Sequence, residues 1–304
     1  MSLVTRPSLL LRILLLGLFA PVLALADKGW PKGFIVAEDS KSPDGHYGVL
    51  IPSHDAAAPE DDADIVNYLA DFKTHRLLGK IHGAIYSEGL NHRSMAVHWA
   101  KDSTWGVIEY DARFGFHSIV VIEPNGDSFT QTEIGSRVQK DLNAAIAKES
   151  RNDETGGDAG VYFRLASDRK LRVRALSWTN PKMLEDRKTF YALFQGTYNL
   201  DAKAWKVTDA RSIPEGLSDA LQAAYDDANY NQTVFENDQS RAIALDLRMN
   251  DVYRAVRFIL GPDRFATVKQ DQYTWLKNRD ATPSVAERCR MMEARIKALQ
   301  DLVW

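Results

Sequence analysis

The chain has 304 residues, of which 45% are hydrophobic and 26% charged, so it can bury a core and is too apolar to be disordered. Its net charge of −3 argues against nucleic acid as a partner, because phosphate binding needs an excess of clustered cations. Cys289 is the single cysteine, which excludes an intramolecular disulfide; its thiol is expected to be buried in the core.

The N-terminus has the pattern of a secretory signal. Arg6 and Arg12 precede the apolar run ILLLGLFAPVLALA, which ends in a small-residue cleavage pattern and is too short for a stable membrane span. We therefore predict a signal peptide over 1–26, cleaved before Asp27, and a periplasmic or secreted mature chain without stable membrane insertion. The alternative is an uncleaved anchor. Loss of the two arginines takes the net charge from −3 to −5.

Residues 27–211 are predicted to form an antiparallel β-rich domain. Runs rich in valine, isoleucine, tyrosine and tryptophan recur there, divided by turn signals such as SPDG and EPNG. The runs cover 48–52, 65–72, 94–100, 104–110, 117–123, 161–166, 171–178 and 189–200. Short turns between such runs favour antiparallel hairpins.

The β region also contains a weak repeat. SPDGHYGVLI (42–51) and AKDSTWGVIEY (100–110) share a turn, an aromatic residue, Gly-Val and further apolar residues, and the segment from VRALSW to DAKAWKV is a candidate third copy. Three units do not close a propeller ring. The expected architecture is therefore a sandwich or an open propeller-like sheet.

Helical periodicity appears once within the β region and dominates after it. An amphipathic helix is predicted over 134–149, a linker with a short helix over 212–235, and a helical domain over 236–304. Gly261-Pro262 and Thr282-Pro283 are expected to divide that domain into separate helices. The expected fold class is α+β, with an N-terminal antiparallel β domain followed by a C-terminal helical domain.

The sequence lacks the standard catalytic and metal-binding motifs, so we expect no enzyme activity, metal or cofactor. The seven histidines lie between His46 and His117 without the spacing of a zinc site. The alternative is an enzyme with an unrecognised site in the β domain, built from His92, His98 or the acidic run at 60–64.

The stretch QDQYTWLKNRDA is unusual for one face of a helix. It places Gln272, Trp275 and Arg279 on a single stripe, followed by Asp280. We expect Trp275 to be largely buried, with Arg279 stacked on a ring or paired with a carboxylate. The amides of Asn250 and Gln272 could cross-link facing helices.

Together with its upstream partner, this stretch resembles the LprI-type lysozyme inhibitor family over roughly residues 220–304. Met249, Asn250 and Tyr253 match an L-N-x-x-Y-like motif, and Arg264 matches an arginine in the break between the helices. Gln272, Trp275, Arg279 and Asp280 match Q-x-x-W-x-x-x-R-D, and Cys289 and Arg295 match a later C-x(5)-R element. The resemblance implies a helical fold and inhibition of lysozyme. Thr282 stands where the family usually has a cysteine, so the disulfide-stapled form of the family cannot exist here.

These polar residues have two interpretations. They form either a structural clasp that holds a helical hairpin, which we favour, or a binding element in which an exposed arginine enters the carboxylate-lined cleft of a partner. The leading hypothesis is an exported, non-enzymatic binding protein whose partner is lysozyme or another exported protein. A net charge of −7 over 27–235, against +2 over 236–304, would speed its encounter with a cationic lysozyme. An envelope scaffold is a third hypothesis.

Overall fold

A computed structural model describes residues 30–54, 65–113, 115–150, 157–179, 188–226 and 234–304. The predicted signal peptide and the acidic run at 60–64 lie outside these residues. In the described part, twelve strands form three antiparallel sheets, one helix lies between the eighth and ninth strands, and the other helices follow the last strand. The predicted α+β class, with a β-rich part before a helical part, is therefore confirmed.

Each sheet is a four-stranded meander in which neighbours in sequence are neighbours in space. The first sheet contains β1 (Phe34–Val36), β2 (Tyr47–Pro52), β3 (Asn67–Asp71) and β4 (Arg76–Ile81). The second contains β5 (Ser94–Trp99), β6 (Gly106–Ala112), β7 (Gly115–Asn125) and β8 (Ser128–Glu133). The third contains β9 (Gly157–Ala166), β10 (Lys170–Thr179), β11 (Tyr191–Asn199) and β12 (Ala204–Ile213).

The repeat in the sequence falls on equivalent places in the three sheets. The turn into the second strand of each sheet has an aspartate followed by a residue with φ between 54° and 69°: Asp44-Gly45, Asp102-Ser103 and Asp168-Arg169. In the first two turns the aspartate side chain accepts a backbone N–H two residues later, at 3.0 and 3.2 Å. Such bonds stabilise tight turns. Each sheet is thus one copy of the same supersecondary unit.

Two cores hold the three sheets side by side. Alternate residues of a strand point to opposite faces, so β6 contributes to both cores. Ile108 packs with Val49 of the first sheet, whereas Val107 packs with Val173 of the third. Helix α1 (Gly135–Ser150), as predicted, closes the second core with its apolar side.

The other face of the third sheet supports the helices. Leu176 and Leu193 of that sheet share a core with the helical residues Leu221, Met249 and Ile296. The helices are α2 (Ser218–Tyr225), α3 (Asp238–Ala281) and α4 (Val285–Asp301). In the described residues, no helix has an apolar stretch long enough to cross a membrane.

Helix α3 is two helical segments joined by a sharp break. Gly261 has φ 71° and ψ 174°, outside the helical range, and Pro262 begins the second segment. Glycine adopts this conformation without a side-chain clash, and proline suits the first helical turn. A capping box at Asn237 starts α3, and the side chain of Ser284 caps α4. Both predicted helix breaks are therefore present.

Candidate functional site

The two segments of α3 fold back on each other as an antiparallel helical hairpin. Contacts at increasing distance from Gly261 show this arrangement. From the turn outward they join Tyr253 with Phe265, Met249 with Gln272, and Asp246 with Arg279. We call residues 261–264 the hairpin tip. The sequence-predicted polar residues thus lie along the seam between the two segments, and α4 packs beside them.

Gln272 lies at the centre of this seam and is 7% exposed. Its Oε1 accepts from Nε of Arg295 in α4 at 2.7 Å, and its Nε2 donates to Sδ of Met249 at 3.6 Å. One side chain therefore links both segments of α3 to α4. Burial lowers the pKa of Arg295 from its ordinary value, although the carboxylate of Asp271 opposes this shift.

Arg279 forms a second polar cluster nearer the open end of the hairpin. Its Nη1 donates to Oδ1 of Asp246 at 2.7 Å, and its Nε donates to Oδ1 of Asp280 at 2.8 Å. The guanidinium carbon lies 5.5 Å from the ring centre of Trp275. The Arg279 side chain is only 18% exposed, so it is directed inward rather than towards a partner.

Trp275 packs against the helical core as a partly buried side chain, at the margin of the seam beneath the guanidinium of Arg279. One expectation about these residues is wrong. Asn250 is exposed and does not lie in the seam between the helices, because Met249 and Val252 occupy the inner face of this segment. Helical geometry turns the side chain of Asn250 about 100° from that of Met249.

The remaining motif residues have structural contacts. Tyr253 is half-buried, and its ring meets Phe265 edge-on at 4.9 Å between centres. Burial raises the pKa of Tyr253. Cys289 is a free thiol buried in the helical core, as predicted, and its Sγ donates to the backbone oxygen of Asp238 at 3.6 Å. Asp280 is exposed near the end of α3.

The hairpin tip is the exposed part of this region. Pro262, Asp263 and Arg264 are all exposed. Near the tip, Nη2 of Arg254 donates to the backbone oxygen of Gly216 at 2.8 Å, which ties the hairpin to the loop between β12 and α2. The tip is therefore a protrusion held at its base by the seam and by this bond.

Of the β-domain residues in the alternative hypothesis, His92 lies before the start of β5 and His98 near its end, while the acidic run at 60–64 is outside the described residues. His92 lies in an exposed turn with φ 59°, while His98 is exposed on β5 with its ring 5.5 Å from that of Phe163. Within the described ranges, no three histidine, cysteine or acidic residues are arranged to hold a metal ion.

A carboxyl pair on β6 escaped the sequence analysis. Glu109 and Asp111 lie on the same face of the strand, and the interaction between them adds to burial in raising the pKa of Glu109 to about 8. Oγ of Ser94 donates to Oδ2 of Asp111 at 2.8 Å. In the sequence, this pair is visible as two acidic residues two positions apart in the otherwise largely apolar strand GVIEYDA.

Comparison with known proteins identifies no family for the chain. A scan of protein-family models finds no match, and a search of curated proteins finds no significant similarity. The resemblance to lysozyme inhibitors therefore rests on the motif residues of the hairpin and of α4.

Proposed function

We propose that the chain is an exported, non-enzymatic binding protein that uses the tip of its helical hairpin to recognise another exported protein, with lysozyme as the first candidate. The observation that carries the proposal is the contrast between the seam and the tip. Gln272 and Arg279 are engaged by other helical residues, whereas Arg264 at the tip is exposed.

The seam acts as a structural clasp. A guanidinium that already bonds Asp246 and Asp280 would have to break these bonds before it could enter the cleft of a partner. That exchange offsets much of the gain from new contacts, because one charged hydrogen bond replaces another. Arg279 is therefore assigned to holding the hairpin closed.

The tip presents the exposed guanidinium of Arg264 beside the exposed carboxylate of Asp263, and the guanidinium is the group that could act as a plug. Lysozyme-type clefts contain a pair of carboxyl groups, so an exposed guanidinium on a rigid protrusion would meet complementary charge. Rigidity at the base lowers the entropy lost on binding. The charge of −7 over 27–235 supports association with a basic enzyme by long-range attraction.

The experiment measures binding of hen egg-white lysozyme to the mature chain by calorimetry, with lysis of bacterial cell walls as a second readout. Arg264→Ala is the test variant. Arg290→Ala is the matched control, because Arg290 is also exposed but lies near the start of α4, at the end of the bundle away from the tip. We expect Arg264→Ala to weaken binding at least tenfold and Arg290→Ala to leave it unchanged.

Two results would contradict the proposal. Failure of the wild-type chain to bind lysozyme would remove lysozyme as the partner and leave the tip to be tested against other exported proteins. Equal binding by wild type and Arg264→Ala would remove the tip as the binding element.

The carboxyl pair on β6 supports a second candidate function, an exported enzyme that uses acid–base chemistry. Glu109, whose pKa is raised to about 8, keeps its proton near neutral pH and could act as a general acid, and the second carboxyl group of Asp111 lies beside it. A panel of fluorogenic ester, glycoside and peptide substrates would test it. Hydrolysis that is present in the wild type and lost in Glu109→Gln would favour the enzyme over the binding protein.

A further inference from the structure

A cleft of about 590 Å³ lies where the first and second sheets meet, far along the chain from the helical hairpin. Its floor is apolar and includes Ile65, Ile81, Ala84 and Ile85, each at most 8% exposed. The volume is typical of sites for small molecules, which combine an apolar surface with a few placed polar groups.

The rim of the cleft carries basic side chains. Lys80, His82 and His117 line it and are exposed, and the described lining residues include no carboxylate. The two histidines are 35 positions apart in the sequence, so only the packing of β7 beside the end of β4 brings them to one place. Such a rim attracts an anion and offers several hydrogen-bond donors to it.

Side chains fix the wall of the cleft in advance of any ligand. Gln131 of β8 donates to the backbone oxygen of Lys80 at 3.0 Å and accepts from the backbone N–H of His82 at 2.9 Å. Ser118 donates to the oxygen of Gly83 at 2.8 Å. A Cβ at Gly83, where φ is 72°, would lie 2.9 Å from Oγ of Ser118.

The loop beyond this wall is also held in place. Nδ2 of the fully buried Asn67 donates to the backbone oxygen of Tyr86 at 2.7 Å. The segment that lines the cleft is therefore bonded to β8, β7 and β3 in turn. A preformed wall reduces the conformational entropy lost on binding, because no loop has to become ordered around a small ligand.

We infer that this cleft binds a small organic anion with an apolar body, such as a medium-chain carboxylate. The anionic group lies at the rim beside Lys80, His82 and His117, and the apolar body lies on the isoleucine-rich floor. This site is independent of the lysozyme-inhibitor-like hairpin, and either can fail without the other.

The experiment titrates sodium decanoate into the mature chain by calorimetry at pH 7. The test variant is Lys80→Ala/His117→Ala. The matched control is Lys73→Ala/His75→Ala, which removes an exposed lysine and an exposed histidine from the turn between β3 and β4. Melting temperatures establish that both variants are folded.

We expect one saturable site in the wild type and in the control, with affinity at least tenfold weaker in the test variant. The neutral alcohol 1-decanol should bind at least tenfold more weakly than decanoate to the wild type. Absence of saturable decanoate binding, equal losses in the two variants, or equal affinity for the alcohol would overturn the inference.

Discussion

At the scale of single residues, the bond between Gln272 and Arg295 decides how the helices pack. A buried amide that satisfies a half-buried guanidinium allows one register between α3 and α4, whereas an apolar seam would tolerate several. The sequence suggested that these residues bind each other or bind a partner. The structure supports the first interpretation for Gln272, because its amide contacts the other segment of α3 at one end and α4 at the other.

Replacing Gln272 therefore has a predictable effect on stability. Gln272→Ala leaves the Arg295 guanidinium without its acceptor and should lower the free energy of unfolding by about 1–3 kcal/mol. Urea denaturation followed by circular dichroism measures this change. Gln270→Ala is the matched control, since Gln270 is exposed two residues earlier, and it should unfold like the wild type. Identical midpoints for both variants would show that the buried amide does not stabilise the bundle.

At the scale of elements, the helical hairpin depends on the conformation of one residue. Gly261 has φ 71° and ψ 174°, a region open almost only to glycine, which costs a residue with a side chain about 1–3 kcal/mol. We expect Gly261→Ala to lower the free energy of unfolding by that amount. Pro262→Ala should have a smaller effect, because a backbone N–H in the first helical turn has no intrahelical partner, so the helix loses no hydrogen bond to proline there. A Gly261→Ala variant as stable as the wild type would show that the hairpin turns in another way.

Whether a strand could be recognised from the sequence depends on its place in the sheet. The inner strands were recognisable because each has a strand on both sides and packing on its faces, which favours continuous apolar runs such as IVVI in β7. Four strands were missed, namely β1, β4, β8 and β12, and all four are sheet edges. Among these, SFTQTE in β8 is polar and half-exposed, so its local pattern is that of a loop, and β1 has only three residues.

The candidate sites also differ in how far the sequence alone could reveal them. The stripe of Gln272, Trp275 and Arg279 lies within one helix, so helical spacing could reveal it. Asp246, the partner of Arg279, lies 33 residues earlier and has no motif of its own. The cleft could not be predicted, because His82 and His117 meet only through the packing of two sheets.

At the scale of the whole molecule, a buried arginine joins the third sheet to the helices. Arg174 is 6% exposed, and it donates to the backbone oxygens of Val303 at 3.0 Å and Trp304 at 2.7 Å. Burial lowers its pKa to about 10. Arg174→Met would leave these carbonyl groups unpaired, at a cost of about 3 kcal/mol. Differential scanning calorimetry should show the loss for Arg174→Met and none for Arg172→Met, whose arginine is exposed; equal losses would contradict this role.

The packing of the second sheet against the third also makes stability depend on pH. Glu109 has a folded-state pKa of about 8 against an ordinary value of 4.5, so the folded chain holds a proton that the unfolded chain releases between these values. The contribution of this proton to the free energy of unfolding is complete below pH 4.5. It is lost as the pH rises towards 8, at about 1.4 kcal/mol for each pH unit. Thermal melts from pH 4.5 to 8.5 should show a steeper fall for the wild type than for Glu109→Gln. Parallel curves would exclude a raised pKa at Glu109.

We propose that Arg279 holds the hairpin closed and does not itself bind a partner. Thermal melts and lysozyme binding of Arg279→Ala and Arg279→Lys, measured side by side, test it most directly. We expect Arg279→Ala to lose about 1 kcal/mol of stability, because the partly exposed partners Asp246 and Asp280 are screened by water. Arg279→Lys should also be destabilised, since lysine lacks the planar fork that reaches both carboxylates. At temperatures where both variants are fully folded, they should bind lysozyme as the wild type does; an unaltered melt with lost binding would contradict the claim.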